Sequence, residues 1–473
     1  MRINQPNILL IISDHLSPRV IGAYGETESC TPHIDRVAEG GALFGNAYAN
    51  CPLCQPSRAS FWTGRYPHET RVLSNGNLHV NGPLPDDLVT LGDVFSRGGY
   101  EAIHFGKEHD FGTLRGFERV PTAQKKPERE PHPAWPENHD TWLDNDSAEK
   151  CARWLEQPHE RPFLAVADLH NPHNICGWVG ENDSLDGPVE NIPPPCELPL
   201  LPDNFHVEDM DTRPPPIQYL CCTHNRLAQA AGWTEDNYRH YIAAYRHYAA
   251  LADEKIGLML QALKDGGALD STVIVITADH GDGMASHGMA TKAVSMYDET
   301  MRVPWVMAGP GIPHCSDSHP ALIQLLDLMP TLLDIAGLDT PEAVRGNSVL
   351  PLLHGEIDEL HEYVAGEWYT EWGFTISPGR MIRTKGYKYT RYLEGNAEEL
   401  YDMRADPGET RNLAPHPEHS ETLQRHREIL SDHLCRTGDP FDSLEVKVDP
   451  RWRSHALGYR HHKGLSAPMA RQS

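Results

Sequence analysis

The chain has 473 residues, enough for one large α/β domain with an appendage or for two or three smaller ones. Hydrophobic residues make up 39% and charged residues 23%, a globular balance that excludes wholesale disorder. With 41 Lys and Arg against 67 Asp and Glu the net charge is −26, which excludes nucleic acid and anionic membrane as general partners and requires a local basic pocket for any anion.

No stretch approaches the roughly 18 apolar residues of a membrane span. The early apolar run Ile8 to Ile12 is too short for the core of a signal peptide and leads directly into Ser13-Asp14. The expected location is cytoplasmic; removal of a leader upstream would make it periplasmic or secreted. The ten cysteines are scattered without a disulfide framework.

The predicted elements alternate. Asn7 to Ser13 reads as a strand, Pro32 to Gly41 as a short helix, and Leu88 to Arg97 as a helix stopped by Gly98-Gly99. Tyr100 to Phe105 is a strand, Ser147 to Glu156 a helix, and Phe163 to Leu169 an apolar strand. Thr234 is the expected N-cap of a helix running to about Leu263, whose Tyr/Leu stripe reads as core. Thr272 to Thr277 is β-branched and reads as a central strand, Val303 to Met307 as another, and Ala321 to Ala336 as a helix. This order predicts a large, mixed but mainly parallel sheet sandwiched by helices over 1–355. Beyond it, strand-like Arg380 to Arg383 and Tyr387 to Tyr392, then a helix Glu421 to Leu434 capped by Ser420, predict a smaller α+β domain over 356–473. Segments 111–145 and 175–233 read as long loops, and the basic tail after Ser443 leaves a homo-oligomer open.

In such a sheet, ligands gather at the carboxyl ends of the strands. Asp14-His15 follows the first strand and Asp279-His280-Gly281-Asp282 the central one. Carboxylates and imidazoles on neighbouring strand ends suit one divalent cation.

Residues 51–65 contain Cys54, Pro56, Ser57, Arg58, Thr63 and Gly64 in the pattern C-x-P-S-R followed by T-G. This segment resembles the signature of the formylglycine-dependent sulfatases of the alkaline phosphatase superfamily. The likeness extends through Pro6 to Asp14, Thr31 to Arg36, Gly106-Lys107-Glu108-His109, Pro172-His173, Asp279 to Asp282, His287-Gly288 with Lys292, Tyr297-Asp298-Glu299, Arg302-Val303-Pro304, 380–385 and 399–409.

That resemblance implies an alkaline-phosphatase-like fold and hydrolysis of a sulfuric ester, on a small or exo-positioned sulfated carbohydrate. It implies that a formylglycine-generating enzyme oxidises Cys54 to an aldehyde, whose hydrate attacks sulfur and then expels sulfate. Asp14, Asp279, His280 and residue 54 are the implied metal ligands. Arg58 would hold the diol, Lys107 and Lys292 would bind the oxyanion, His173 would protonate the departing alcohol and His109 would regenerate the aldehyde.

One position departs from the pattern: His15 stands where many sulfatases carry a second metal aspartate. It is either a further ligand or a support behind one. Ca²⁺ is the ion implied by the family, while imidazoles suit Mn²⁺ or Zn²⁺. The departure also keeps open a phosphonate monoester or phosphodiester hydrolase using the same nucleophile. His170, Asn171, Asn174 and His287 are candidate substrate-binding groups or, alternatively, supports of their turns. A non-catalytic binding protein with Cys54 left as a thiol is the reading from a different class; the intact set of Lys107, His109 and Lys292 argues against it.

Overall fold

A computed structural model describes residues 5–76, 80–122, 141–181, 198–206, 213, 214, 216, 217, 230, 233–292, 295–369 and 377–444. Eight strands form the main sheet: β1 (Asn7–Ser13), β2 (Ala42–Tyr48), β3 (Glu101–Gly106), β4 (Glu118–Val120), β5 (Phe163–Leu169), β6 (Thr272–Thr277), β7 (Trp305–Ala308) and β8 (His319–Gln324). Their spatial order is β4-β3-β5-β1-β6-β7-β2-β8. Only β7 runs against its neighbours. The central strands β1, β5 and β6 are almost wholly apolar and buried, as a sheet covered on both faces requires.

Two groups of helices cover it. Pro32–Glu39, Thr141–Leu155 and Ile175–Glu181 each pack on the long helix Glu235–Asp265. Leu91–Arg97 and Leu328–Ala336 each pack on Cys54–Thr63. Thr234 caps the long helix, accepting the Asn237 N–H at 3.3 Å. Among the described residues, no helix is long and apolar enough to cross a membrane.

The second sheet is antiparallel: β9 (Tyr363–Trp368), β10 (Gly379–Thr384), β11 (Tyr387–Tyr392) and β12 (Glu398–Asp402), in the order β12-β11-β10-β9. The helix Ser420–Thr437 packs on it around Leu423, Leu430 and Leu434. A buried ionic group ties this C-terminal domain to the main one. His68 Nδ1 lies 2.6 Å from Glu367 Oε1 on β9, and Arg380 on β10 forks onto Asp439 at 2.6 and 2.9 Å.

Several expected elements differ. Residues 321–324 belong to β8 rather than to a helix; the turn at Gln324–Asp327, where the Gln324 N–H donates to Asp327 Oδ2 at 2.9 Å, separates strand from helix. The first described helical residue near Ser147 is Thr141, so that helix starts in what reads as loop. Ser420 is inside its helix, with His419 at the cap and no side-chain capping bond. The loop segments contain β4 and the helix Ile175–Glu181; much of 175–233, and the tail from 445, lie outside the described residues. Seven cysteines fall among the described residues, all unpaired.

Candidate active site

The site is assembled where β1, β3, β5 and β6 end. Cys54 opens the ten-residue helix Cys54–Thr63, so its side chain sits where free backbone N–H groups favour negative charge. Gly64 stops this helix in the left-handed conformation (φ 64°), and a Cβ there would sit 2.6 Å from Val344. The glycine of the T-G pair is thus both a helix stop and a close approach.

Four potential ligand atoms from Asp14, Cys54, Asp279 and His280 lie within 4.8 Å of one another, all buried. His280 Nδ1 lies 2.9 Å from the Gly281 carbonyl, which can only accept, so Nδ1 carries the proton and Nε2 is the lone-pair atom of the neutral ring. That Nε2 is 3.1 Å from Cys54 Sγ. Burial pulls the His280 imidazole down to about 4, with Asp279 opposing. Burial opposes ionisation of Asp279, yet His280, Arg58 and Lys107 outweigh it and keep the carboxyl below its ordinary range. Two carboxylates, one oriented imidazole and the residue-54 side chain are a donor set that fits a divalent cation.

Arg58 is fully buried and ties three strand ends together. Its Nε donates to Asp279 Oδ2 at 2.9 Å, Nη1 to Asp168 Oδ2 at 2.5 Å and Nη2 to Asp14 Oδ2 at 3.4 Å. Lys107 Nζ contacts Asp14 Oδ2. Burial and the nearby Lys292 pull the Lys107 ammonium down to about 8, although Asp279 and Asp168 act the other way. Lys292 Nζ donates to Cys54 Sγ at 3.0 Å. Burial disfavours its charge, but Cys54 and Cys176 more than compensate and raise it. Burial raises the Cys54 thiol, with Lys292 opposing.

The two candidate acid–base histidines stand in this positive field. Burial, Lys107 and Arg58 press His109 down to about 2. Burial, Lys292 and Lys107 hold His173 well below its ordinary value. Both are neutral imidazoles at physiological pH.

Comparison with known proteins identifies the family. Residues 6–338 match the family described as Sulfatase, and residues 285–434 match the region described as N-sulphoglucosamine sulphohydrolase, C-terminal. The chain belongs to the sulfatase family. It is 49% identical over 470 residues, covering 98% of this chain and 96% of the relative, to a Δ4,5-hexuronate-2-O-sulfatase of Bacteroides thetaiotaomicron. The solved structure of a 2-O GAG sulfatase superposes with a TM-score of 0.89 at 49% identity, over 95% of this chain and 96% of the other. Arylsulfatase K of Mus musculus is 28% identical over 472 residues, covering 91% of this chain and 80% of the relative. The phosphonate monoester hydrolase of Agrobacterium radiobacter shares the fold, with a TM-score of 0.73 at 23% identity over 92% of this chain and 96% of the other.

The remaining candidates of this sulfatase are placed unevenly. His15 is buried outside the four-residue cluster, with Nε2 facing Asp282 Oδ2 at 3.1 Å. Asn171 and Asn174 are buried and bond each other, Nδ2 of Asn174 donating to Oδ1 of Asn171 at 2.7 Å. The backbone N–H groups of His170 and Asn171 donate to Asp144 at 2.6 and 2.8 Å, and His170 Nδ1 is 3.4 Å from the same carboxylate. His287 is buried, stacked on Tyr297 at 4.2 Å, and 3.3 Å from Asn204 Nδ2.

Sequence reasoning missed Asp168, Asp144 and the support role of the tyrosine stripe. Asp168 is the one acid inside an otherwise apolar strand, and that oddity was its available signal. Tyr241 and Tyr245 belong to the core stripe, yet their hydroxyls donate to Asp282 and to the His15 carbonyl.

Proposed function

We propose that this sulfatase removes a 2-O-sulfate from a hexuronate of a sulfated carbohydrate, with Cys54 matured to formylglycine. The carrying observation is the meeting of Lys292 Nζ and His280 Nε2 on Cys54 Sγ, at 3.0 and 3.1 Å, beside Asp14 and Asp279. The substrate class rests on the 49% identity to the relative named for that sugar.

After oxidation and hydration, residue 54 would supply the nucleophilic oxygen, and a divalent cation held by Asp14, Asp279, His280 and residue 54 would neutralise developing charge. The chain's own groups do the rest. Lys107 and Lys292, both buried, bind the sulfate oxygens as point charges. Arg58 fixes the carboxylates so that they cannot follow the substrate's charge. Burial and the lysine charges depress His173, and an anionic sulfate entering beside the lysines offsets the charge part of that depression. Its ring nitrogen can then take up a proton and deliver it to the departing sugar oxygen. His109, neutral and close to Lys107, is the candidate base.

The test compares three substrates under Mn²⁺ and Ca²⁺: a Δ4,5-unsaturated hexuronate 2-O-sulfate disaccharide, the same disaccharide sulfated only on its hexosamine, and an aryl phosphonate. The protein is made with a formylglycine-generating enzyme, and the mass of the Cys54 peptide is read alongside. The reading expects sulfate release from the first substrate alone, lost in Cys54→Ala. Faster turnover of the phosphonate, or full activity in Cys54→Ala, overturns it.

A further inference from the structure

His15 is the position at which this chain leaves the two-aspartate pattern, and its surroundings are unusually determined. The residue is fully buried and adopts φ 73°, a left-handed conformation that is strained for a non-glycine residue. Three contacts hold it there. Its backbone N–H donates to Asp279 Oδ1 at 3.0 Å and its carbonyl accepts from the Tyr245 hydroxyl at 2.5 Å, while its ring Nε2 packs 3.1 Å from Asp282 Oδ2 without the alignment of a hydrogen bond. Asp282 is itself fixed, because Oδ1 accepts from the Tyr241 hydroxyl and from the Met284 N–H at 2.7 Å.

The ring so held lies between two groups of the site. It meets the His280 ring edge-on at 4.7 Å between centroids and lies 5.8 Å from the His173 ring. Its Nδ1 points toward Cys176 Sγ at 3.9 Å, away from Asp282. His15 lies outside the group of ligand atoms formed by Asp14, Cys54, Asp279 and His280.

We propose that His15, packed against Asp282, is a positioning residue: a strut that fixes the spacing between His280, the candidate metal ligand, and His173, the candidate acid. It rests on the sulfatase reading above for the roles of those two histidines. His15 touches neither substrate nor ion; it acts by denying both imidazoles the freedom to tilt. Removing such an outer support costs about 10- to 100-fold in metal affinity or activity.

The test uses His15→Asn and Asp282→Asn in the full-length, matured protein. Asparagine tolerates positive φ, so His15→Asn keeps the turn while removing the strut. Two quantities are read: the Mn²⁺ and Ca²⁺ midpoints, from the metal dependence of thermal unfolding, and kcat and KM for the sulfated disaccharide. The expected result for both variants is a metal midpoint raised about tenfold and kcat lowered about tenfold or more, with KM within about twofold. Unchanged midpoints and kcat overturn the proposal, as does a lower kcat accompanied only by a lower Tm. A third variant, His15→Asp, rebuilds the two-aspartate pattern. If it binds metal more tightly and keeps kcat, position 15 is a ligand slot and the strut is overturned. The metal midpoints require no substrate, so an error in the assigned sulfate ester leaves this comparison intact.

Discussion

Arg58 Nη1 meets Asp168 Oδ2 at 2.5 Å, with both side chains sealed from solvent. Burial opposes the charge on Asp168, but Arg58 and His104 outweigh it and hold the carboxyl below its ordinary range. The pair links the nucleophile's helix to β5, three residues before the Asn171-Pro172-His173 turn. Asp168→Ala leaves part of a buried guanidinium uncompensated. Breaking a buried pair in this way costs about 3–5 kcal/mol. The expected outcome is a drop of that order in urea-unfolding stability and a loss of kcat/KM of at least about tenfold. Arg58→Lys should lose comparable activity while retaining charge, because a point ammonium cannot span Asp14, Asp168 and Asp279. Normal turnover in Arg58→Lys would count against this geometric role.

Divalent-ion removal has an expected signature. The four-residue cluster brings two carboxylates together in a buried site. An ion bound at about one hundred times its dissociation constant adds about 2.7 kcal/mol to the folded state. Chelation should therefore lower Tm by several degrees, and restoring the ion should recover it. His280→Ala should abolish most of the shift. Equal Tm with and without chelator would argue against a resident ion.

The link between the two domains should depend on pH. Burial alone would depress His68, but Glu367 and Asp439 outweigh it and push the imidazole up to about 9. Its ordinary value is about 6.5. A folded-state value above the unfolded one means that the stabilisation is complete below about pH 6.5 and is lost as pH rises toward 9. The loss at the high end is about 3 kcal/mol. Urea midpoints should fall between pH 6.5 and 9.5, and His68→Gln should flatten that dependence. Parallel pH profiles for the two proteins would remove His68 as the cause.

The uneven legibility of this fold has physical reasons. β1, β5 and β6 declare themselves because strands buried on both faces need unbroken apolar runs. β2 is interrupted by Gly45 and Asn46 and carries no such signal. β8 was hidden because it runs into the apolar Leu325–Ala336 stretch with no glycine or proline between, and only the Gln324–Asp327 turn divides them. At the site, the signature spacing marks Cys54, Arg58 and Lys292, since chemistry fixes those types. Asp168 and Asp282 act through other side chains, and only the folded geometry gives them partners.

His287 allows one further discrimination. Its place in the sequence makes it a candidate sugar-binding residue, yet it is buried, stacked on Tyr297 and close to Asn204. Burial holds its imidazole down to about 4, with Glu299 opposing. Asn204 Nδ2 also donates to Glu299 Oε1 at 2.9 Å and to the Gly408 carbonyl at 3.0 Å, so the group braces the segment leading to Lys292 against the C-terminal domain. His287→Ala should therefore lower stability by about 3 kcal/mol, as a large-to-small core change does, while leaving KM within about twofold. His173→Ala should do the opposite, collapsing kcat by at least about a hundredfold with little change in unfolding. A KM raised tenfold in His287→Ala at unchanged stability would return His287 to the substrate.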